Sequence, residues 1–286
     1  MRGSLFMTLS MAGFAVEDAF IKSAAVQLPV GQVIATMGLI GIVVFSLMAL
    51  RAGQPAVPRA ALSRMMAVRS VFEVVGRLFY ALAIAYTPLT SASAILQATP
   101  LVVVPAAAWL FGETVGLVRS VAVVLGFIGV LVILQPGLAG FSAMSLLAVT
   151  GMLGFAGRDL ATRAAPPALS NAQLGVAGFT MLTVSGIIIL IAQGGPVWPE
   201  TKSVMQIAGA AGFGIIGYGA LTNAMRTGQI SAVAPFRYTR LVFAMVLGLT
   251  IFGERPDLMT LLGSALIVSC GVLVLTTGRR PRGAAV

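Results

Sequence analysis

Ten apolar stretches divide the chain, each close to the length of about 20 residues that a helix needs to cross the hydrocarbon of a bilayer. Pro, Gly and clusters of charge mark the breaks between them. The stretches fall at about 4–25, 30–50, 66–87, 90–111, 117–135, 142–163, 171–193, 204–225, 231–252 and 258–277. The third and fourth are separated only by Thr87-Pro88-Leu89-Thr90, so that boundary is the least sharply marked. Arg2 followed by Leu5-Phe6-Met7 could open a secretory leader, but Glu17, Asp18 and Lys22 interrupt the run before a cleavage site. The first stretch is therefore expected to stay as a spanning helix. The pattern predicts an all-α membrane protein with ten transmembrane helices.

The second half of the pattern repeats the first. Gly13-Phe14-Ala15-Val16-Glu17-Asp18 returns 141 residues later as Gly154-Phe155-Ala156-Gly157-Arg158-Asp159. At the same offset Phe72 and Gly76 meet Phe213 and Gly217, and Phe111-Gly112-Glu113 meets Phe252-Gly253-Glu254. Apolar coincidences are common in membrane sequences, but two charged motifs at one offset are not. The expected units are residues 1–140 and 141–286, each with five spans. Five is odd, so the second unit crosses the bilayer in the opposite sense. Inverted repeats of this kind enclose a midplane site in secondary transporters.

Composition narrows the class. The chain of 286 residues is 58% hydrophobic and only 9% charged, against about a quarter charged in a soluble domain, and its mean hydropathy is +1.02. No sizeable soluble domain fits. There is no His and one Cys, Cys270, so no disulfide forms within the chain and the usual ligands of zinc or haem are missing. No metal, cofactor or catalytic residue is expected, and without a nucleophile–base motif neither is an enzyme. The net charge of +10 reads as a topology signal rather than a nucleic-acid surface. Eleven basic residues, among them Arg51, Arg59, Arg119, Arg226 and the tail residues Arg279, Arg280 and Arg282, fall on one side of the ten-span map. Three, Lys22, Lys202 and Arg255, fall on the other. That bias places both termini in the cytoplasm of a multi-pass inner-membrane protein.

Charges inside the spans are costly and point to function. In the first span Asp18 and Lys22 stand i,i+4 and can pair, or serve a gate. Asp159 and Arg163 mirror them in the sixth. Glu17 and Arg158 occupy equivalent positions with opposite charge, which breaks the symmetry. These six are expected to gate or clamp helices. In the third span Arg69, Glu73, Arg77 and Tyr80 share one stripe. Glu73 and Arg77 pair with each other or with a charge across a cavity. Tyr218 lies on the equivalent face of the eighth span. The fourth span offers Gln97 and two helix-bending prolines, Pro100 and Pro105, and the ninth carries Pro235, Arg237, Tyr238 and Arg240. Arg recognises carboxylates through a planar fork, so Arg237 and Arg240 are candidates for an anionic group of a substrate or counter-charges for Glu73 and Asp159. Pro100 and Pro235 are not equivalent, so the bends are expected to be displaced between repeats. Glu113 and Glu254 fit the positive start of the helix that follows each. Gly126, Gly129, Gly263 and Gly271 in the aliphatic fifth and tenth spans suit close packing, including a homodimer face.

Ten helices as five plus five, with a Pro-containing fourth span ending in Phe-Gly-Glu, resemble the EamA family of the drug/metabolite transporter superfamily. Within it the sequence looks most like the YddG-type exporters of aromatic and other neutral amino acids. The resemblance spans the whole chain. It implies a central cavity lined by spans 1–4 and 6–9, with spans 5 and 10 peripheral, and export of a small solute by alternating access. Glu73, Arg77, Tyr80, Gln97, Tyr218, Arg237, Tyr238 and Arg240 would line the site. Such a set suits a zwitterion with a hydrophobic side chain. Other metabolites or drugs are the alternative, and a passive membrane scaffold a further one.

Overall fold

The computed structural model describes residues 2–111, 116–135, 142–163, 169–227 and 234–277. Every regular element among them is helical. They are α1 (Arg2–Ala24), α2 (Val30–Arg51), α3 (Arg64–Tyr86), α4 (Leu89–Leu96), α5 (Thr99–Phe111), α6 (Leu117–Leu134), α7 (Ser145–Arg163), α8 (Asn171–Ala192), α9 (Thr201–Thr227), α10 (Thr239–Phe252) and α11 (Leu258–Thr277). Short 3-10 turns occupy Arg59–Leu62 and Ala234–Tyr238. α4 with α5 makes the fourth span, and the second 3-10 turn with α10 makes the ninth.

Helices are imposed by the solvent, because in hydrocarbon only an internally bonded backbone leaves no N–H or C=O unsatisfied. Five described helical stretches are long and apolar enough to cross by length and composition alone: Arg2–Ala24, Val30–Arg51, Leu89–Leu110, Asn171–Ala192 and Thr201–Ala224. α3 falls short because Arg69, Glu73 and Arg77 lie in its middle. Pro29 and Pro88 stand just ahead of α2 and α4, where the missing N–H costs nothing. Ser63 caps α3, and Ser170 with Gln173 closes a reciprocal capping box on α8. Gly253 ends α10 in the left-handed region, at φ 62°.

The fourth span breaks at Gln97-Ala98. Pro100 has no N–H to give the Leu96 carbonyl, and the Thr99 hydroxyl donates to that carbonyl instead. Three-residue bonds carry the chain across, from Ala98 N to Ile95 O (3.0 Å) and from Leu101 N to Ala98 O (2.9 Å). Regular helix restarts at Thr99 in one repeat and at Thr239 in the other, within one residue of the 141 offset. The displaced prolines predict displaced bends, and the structure corrects this. The 3-10 turn of the ninth span brings its helix restart to the same level as that of the fourth.

Helix contacts obey the repeat. α1 packs on α9, and its counterpart α7 packs on α3; α2 packs on α8, and α6 on α11. The repeated Gly-Phe-Ala motif explains the first two contacts. Gly13 lies against Gly217, and its equivalent Gly154 lies against Gly76, so close that a Cβ on Gly154 would overlap the Gly76 backbone. In the peripheral pair Gly129 and Gly263 meet each other, while Gly126 abuts Leu101 and Gly271 abuts Tyr238. These glycines are spent on contacts inside the chain, so they do not mark a dimer face. Val121, Val124, Leu125 and Ile128 on the outer side of α6 are exposed and face where lipid would be. Gly112, Glu113, Arg279, Arg280 and Arg282 lie outside the described residues, as do the side chains of Arg119, Arg163, Arg226 and Pro235.

Candidate functional site

A cavity of about 120 Å³ lies where α1, α3, α4 and α5 of the first repeat face α7, α9, α10 and the 3-10 turn of the second. Four arginines reach its wall: Arg77, Arg158, Arg237 and Arg240. Each is tied to an acid, in most cases on another helix. Arg240 Nη2 reaches Asp18 Oδ2 at 2.6 Å, and Tyr80 donates to the same oxygen at 3.1 Å. Arg158 bridges Asp159 (2.8 Å) and Glu73 (3.4 Å). Arg77 meets Glu73 at 3.3 Å, and Arg237 reaches Asp159 at 3.8 Å. Bringing these charges out of water costs several kcal/mol per ion, which only close pairing offsets. The network fixes α1 to α10 and α3 to α7 around the cavity.

The assignments made from sequence divide. Arg77, Tyr80, Gln97, Tyr218, Arg237, Tyr238 and Arg240 line the cavity as expected, with Pro100 beside them. Glu73 does not. It sits behind the wall, 1% exposed, with Arg69, Arg77 and Arg158 all within 3.4 Å. Its role is to hold arginines in position. Gln97 donates to the Arg237 carbonyl at 2.8 Å, tying the break in the fourth span to the turn in the ninth. Glu17, Asp18 and Arg158, expected to act as gates or clamps, are on the wall. The Pro105 ring is outside the lining.

Two further expectations are corrected. Asp18 does not pair with Lys22, because Arg240 has the closer approach. Lys22 turns to the helix ends instead. It donates to the carbonyls of Thr87 (2.6 Å) and Ile84 (3.3 Å) and lies 3.4 Å from Glu254. Glu254 does not serve the helix that follows it. Its carboxylate accepts from Leu89 N (2.7 Å), Thr90 N (3.1 Å) and the Thr90 hydroxyl (3.1 Å), capping α4. The attraction of a carboxylate to a helix N-terminus holds, but the helix belongs to the other repeat. Together Lys22 and Glu254 close one end of the cavity. At the other end the Arg237 side chain is 35% exposed.

Sequence reasoning missed two aromatic walls. Phe14 lies under the Arg240 guanidinium at 5.3 Å and Phe155 under that of Arg158 at 4.7 Å, the geometry of a cation–π contact. The two are equivalent at the 141 offset, inside the repeated Gly-Phe-Ala motif. The signal was present in the middle residue of that motif. Among the described residues, no group of three or more His, Cys, Asp or Glu is placed to hold a metal ion.

Residues 1–135 match the EamA-like transporter family, and residues 138–277 match it again. The chain belongs to the EamA-like transporter family. This EamA-like protein is 28% identical over 275 residues to the pseudopaline exporter CntI of Pseudomonas aeruginosa, covering 93% of each chain. It is 27% identical over 274 residues to the riboflavin transporter of Vibrio cholerae, 94% of this chain and 91% of that one. It is 25% identical over 203 residues to the S-adenosylmethionine uptake transporter of Rickettsia prowazekii, 70% of this chain and 67% of that one. A crystal structure with 18% sequence identity superposes with a TM-score of 0.67 over 97% of this chain and 99% of its own, which fixes the fold. The EamA-like chain is thus a ten-span, two-repeat membrane transporter rather than an enzyme.

Proposed function

We propose that this transporter moves a small metabolite carrying both a carboxylate and a cationic or polar group across the bacterial inner membrane by alternating access. Residues 1–140 and 141–286 are the two halves that rock about the cavity, with both termini cytoplasmic. The observation that carries the reading is the ionic lattice on the wall. Arg240 is held by Asp18 and Tyr80, and Arg158 by Asp159 and Glu73. Substrate carboxylates can exchange into such pairs, because the arginine forks already lie at the cavity surface. Phe14, Phe155 and Tyr218 supply flat apolar faces for the rest of the molecule.

Neutral amino acids are one member of this class and match the paired acid and base of the wall. The names of the relatives favour a wider one, since they concern pseudopaline, S-adenosylmethionine and riboflavin. The test is counterflow in proteoliposomes with S-adenosylmethionine, riboflavin and L-phenylalanine, each against its own trapped pool. Uptake of a carboxylate-bearing member, lost in Arg240→Met with protein still inserted, supports the reading. Equal uptake by wild type and Arg240→Met would remove Arg240 from the site. Uptake of riboflavin alone would remove the carboxylate requirement.

A further inference from the structure

Glu17 stands apart from the other acids of the site. Asp18 has Arg240 at 2.6 Å, Glu73 has Arg69 at 2.9 Å, and Asp159 has Arg158 at 2.8 Å. Among the described residues Glu17 meets one cation, Arg77 Nη1, at 4.0 Å, and accepts no hydrogen bond from them. Arg77 is engaged more closely with Glu73, at 3.3 Å. Yet Glu17 is 4% exposed and lines the cavity.

The repeat explains how this came about. Glu17 is the equivalent of Arg158, and Glu73 is the equivalent of Gly214 at the 141 offset. Where α7 packs on α3, Arg158 meets Glu73. Where α1 packs on α9, Glu17 meets Gly214, and a Cβ there would lie 3.1 Å from the Glu17 carboxyl carbon. One helix interface holds an ion pair, and its counterpart holds a carboxylate against a glycine.

A buried carboxylate with one distant partner does not remain charged at little cost; it neutralises by taking a proton. The groups around it do not remove that cost. Asp18 is its neighbour on α1 and is anionic, and Arg240 on α10 is bound to Asp18. Arg158 on α7 is bound to Glu73 and Asp159. Arg237 in the 3-10 turn faces Asp159, and α9 presents only Gly214. We propose that Glu17 is a proton-binding site opening on the cavity, so that the charge of the cavity wall is set by pH. The proton comes from water entering the cavity and returns to it, with no other bond made or broken. The inference rests on the cavity geometry and not on which solute is carried.

Infrared titration of the purified protein in lipid nanodiscs tests this. A protonated-carboxyl C=O band that fades as the pH is raised is expected in the wild type and in Asp159→Asn, and is absent in Glu17→Gln. In Arg77→Gln its midpoint moves to higher pH, because the one cation favouring the ionised form is gone. A wild type without the band, a Glu17→Gln protein that keeps it, or an unmoved midpoint in Arg77→Gln would each overturn the assignment. If Glu17→Gln does not insert, the wild type alone decides. Dicyclohexylcarbodiimide, which reacts with protonated buried carboxyls, should modify the Glu17 peptide at acid but not alkaline pH. No adduct at Glu17 at acid pH overturns the proposal.

Discussion

Glu254→Gln should unlock the end of the cavity that Lys22 closes. Glu254 takes three hydrogen bonds from the first turn of α4 and lies 3.4 Å from Lys22, which itself binds the last carbonyls of α3. One ion pair therefore joins α1, the end of α3, the start of α4 and the loop after α10. A hydrogen bond to a charged group contributes about 1.5–3 kcal/mol net. The amide keeps one acceptor for the α4 amides but loses the charge that both Lys22 and the helix N-terminus favour. The closed arrangement should lose about 2 kcal/mol. At about 1.4 kcal/mol per factor of ten, the closed-to-open ratio falls about 30-fold. Spin labels at Val26 and Arg255, both exposed and on either side of the latch, report the change by pulsed electron resonance in a Cys270→Ser background. A new longer-distance population is expected in Glu254→Gln. Lys22→Met should give the same shift, and the double variant little more, because the two residues act as a unit. Identical distance distributions in wild type and Glu254→Gln would refute the latch.

Other consequences follow from the same contacts. Arg240→Met leaves Asp18 buried with only Tyr80, and breaking a buried pair costs about 3–5 kcal/mol. Thermal unfolding should show the loss, and adding Asp18→Asn should recover part of it. Gly154→Ala forces a methyl into the Gly76 backbone and should destabilise by about 1–3 kcal/mol. Gly219→Ala, with open space around it, should be neutral or mildly stabilising by the same measurement. Asp257 caps α11 through Thr260 N at 2.8 Å, so Asp257→Ala should cost about 1 kcal/mol. The Thr260 and Gln135 bonds hold the Asp257 carboxyl below its ordinary range. The cap is thus complete at neutral pH and lost as acid protonates it. Wild-type and Asp257→Ala stabilities should converge at low pH.

Spans and repeat were legible because the bilayer demands about 20 apolar residues per crossing and because Gly-Phe-Ala and Phe-Gly-Glu recur at one offset. Most of the lining was legible too, since a charged side chain such as Arg77 or Arg240 in the middle of a span has few places to go but a cavity. Partner choice was not. Asp18 and Lys22 are neighbours on one helix, yet Asp18 pairs with a residue 222 positions away. Periodicity describes a helix face and says nothing of what another helix brings to it. Glu254 failed for the same reason, as the nearest helix N-terminus in space belongs to α4. Pro100 and Pro235 misled because a 3-10 turn can shift a bend along the chain without any proline at the bend itself.

The backbone repeats more faithfully than its charges, and the difference can be weighed. Glu17 and Arg158 are equivalent positions, but removing each leaves a different remainder. Without Arg158, Asp159 loses a 2.8 Å partner and Glu73 one of its three arginines. An uncompensated buried carboxylate then remains, and Arg158→Met should cost about 3–5 kcal/mol. Without Glu17, Arg77 still holds Glu73 at 3.3 Å, and the distant contact at 4.0 Å takes little with it. Glu17→Gln has the shape of the protonated acid and should change stability by less than about 1 kcal/mol. Unfolding of the two variants in the same lipid and at the same pH makes the comparison. If Glu17→Gln is as destabilised as Arg158→Met, Glu17 is a structural ion in the wall, and the asymmetry that leaves it available to a proton is not there.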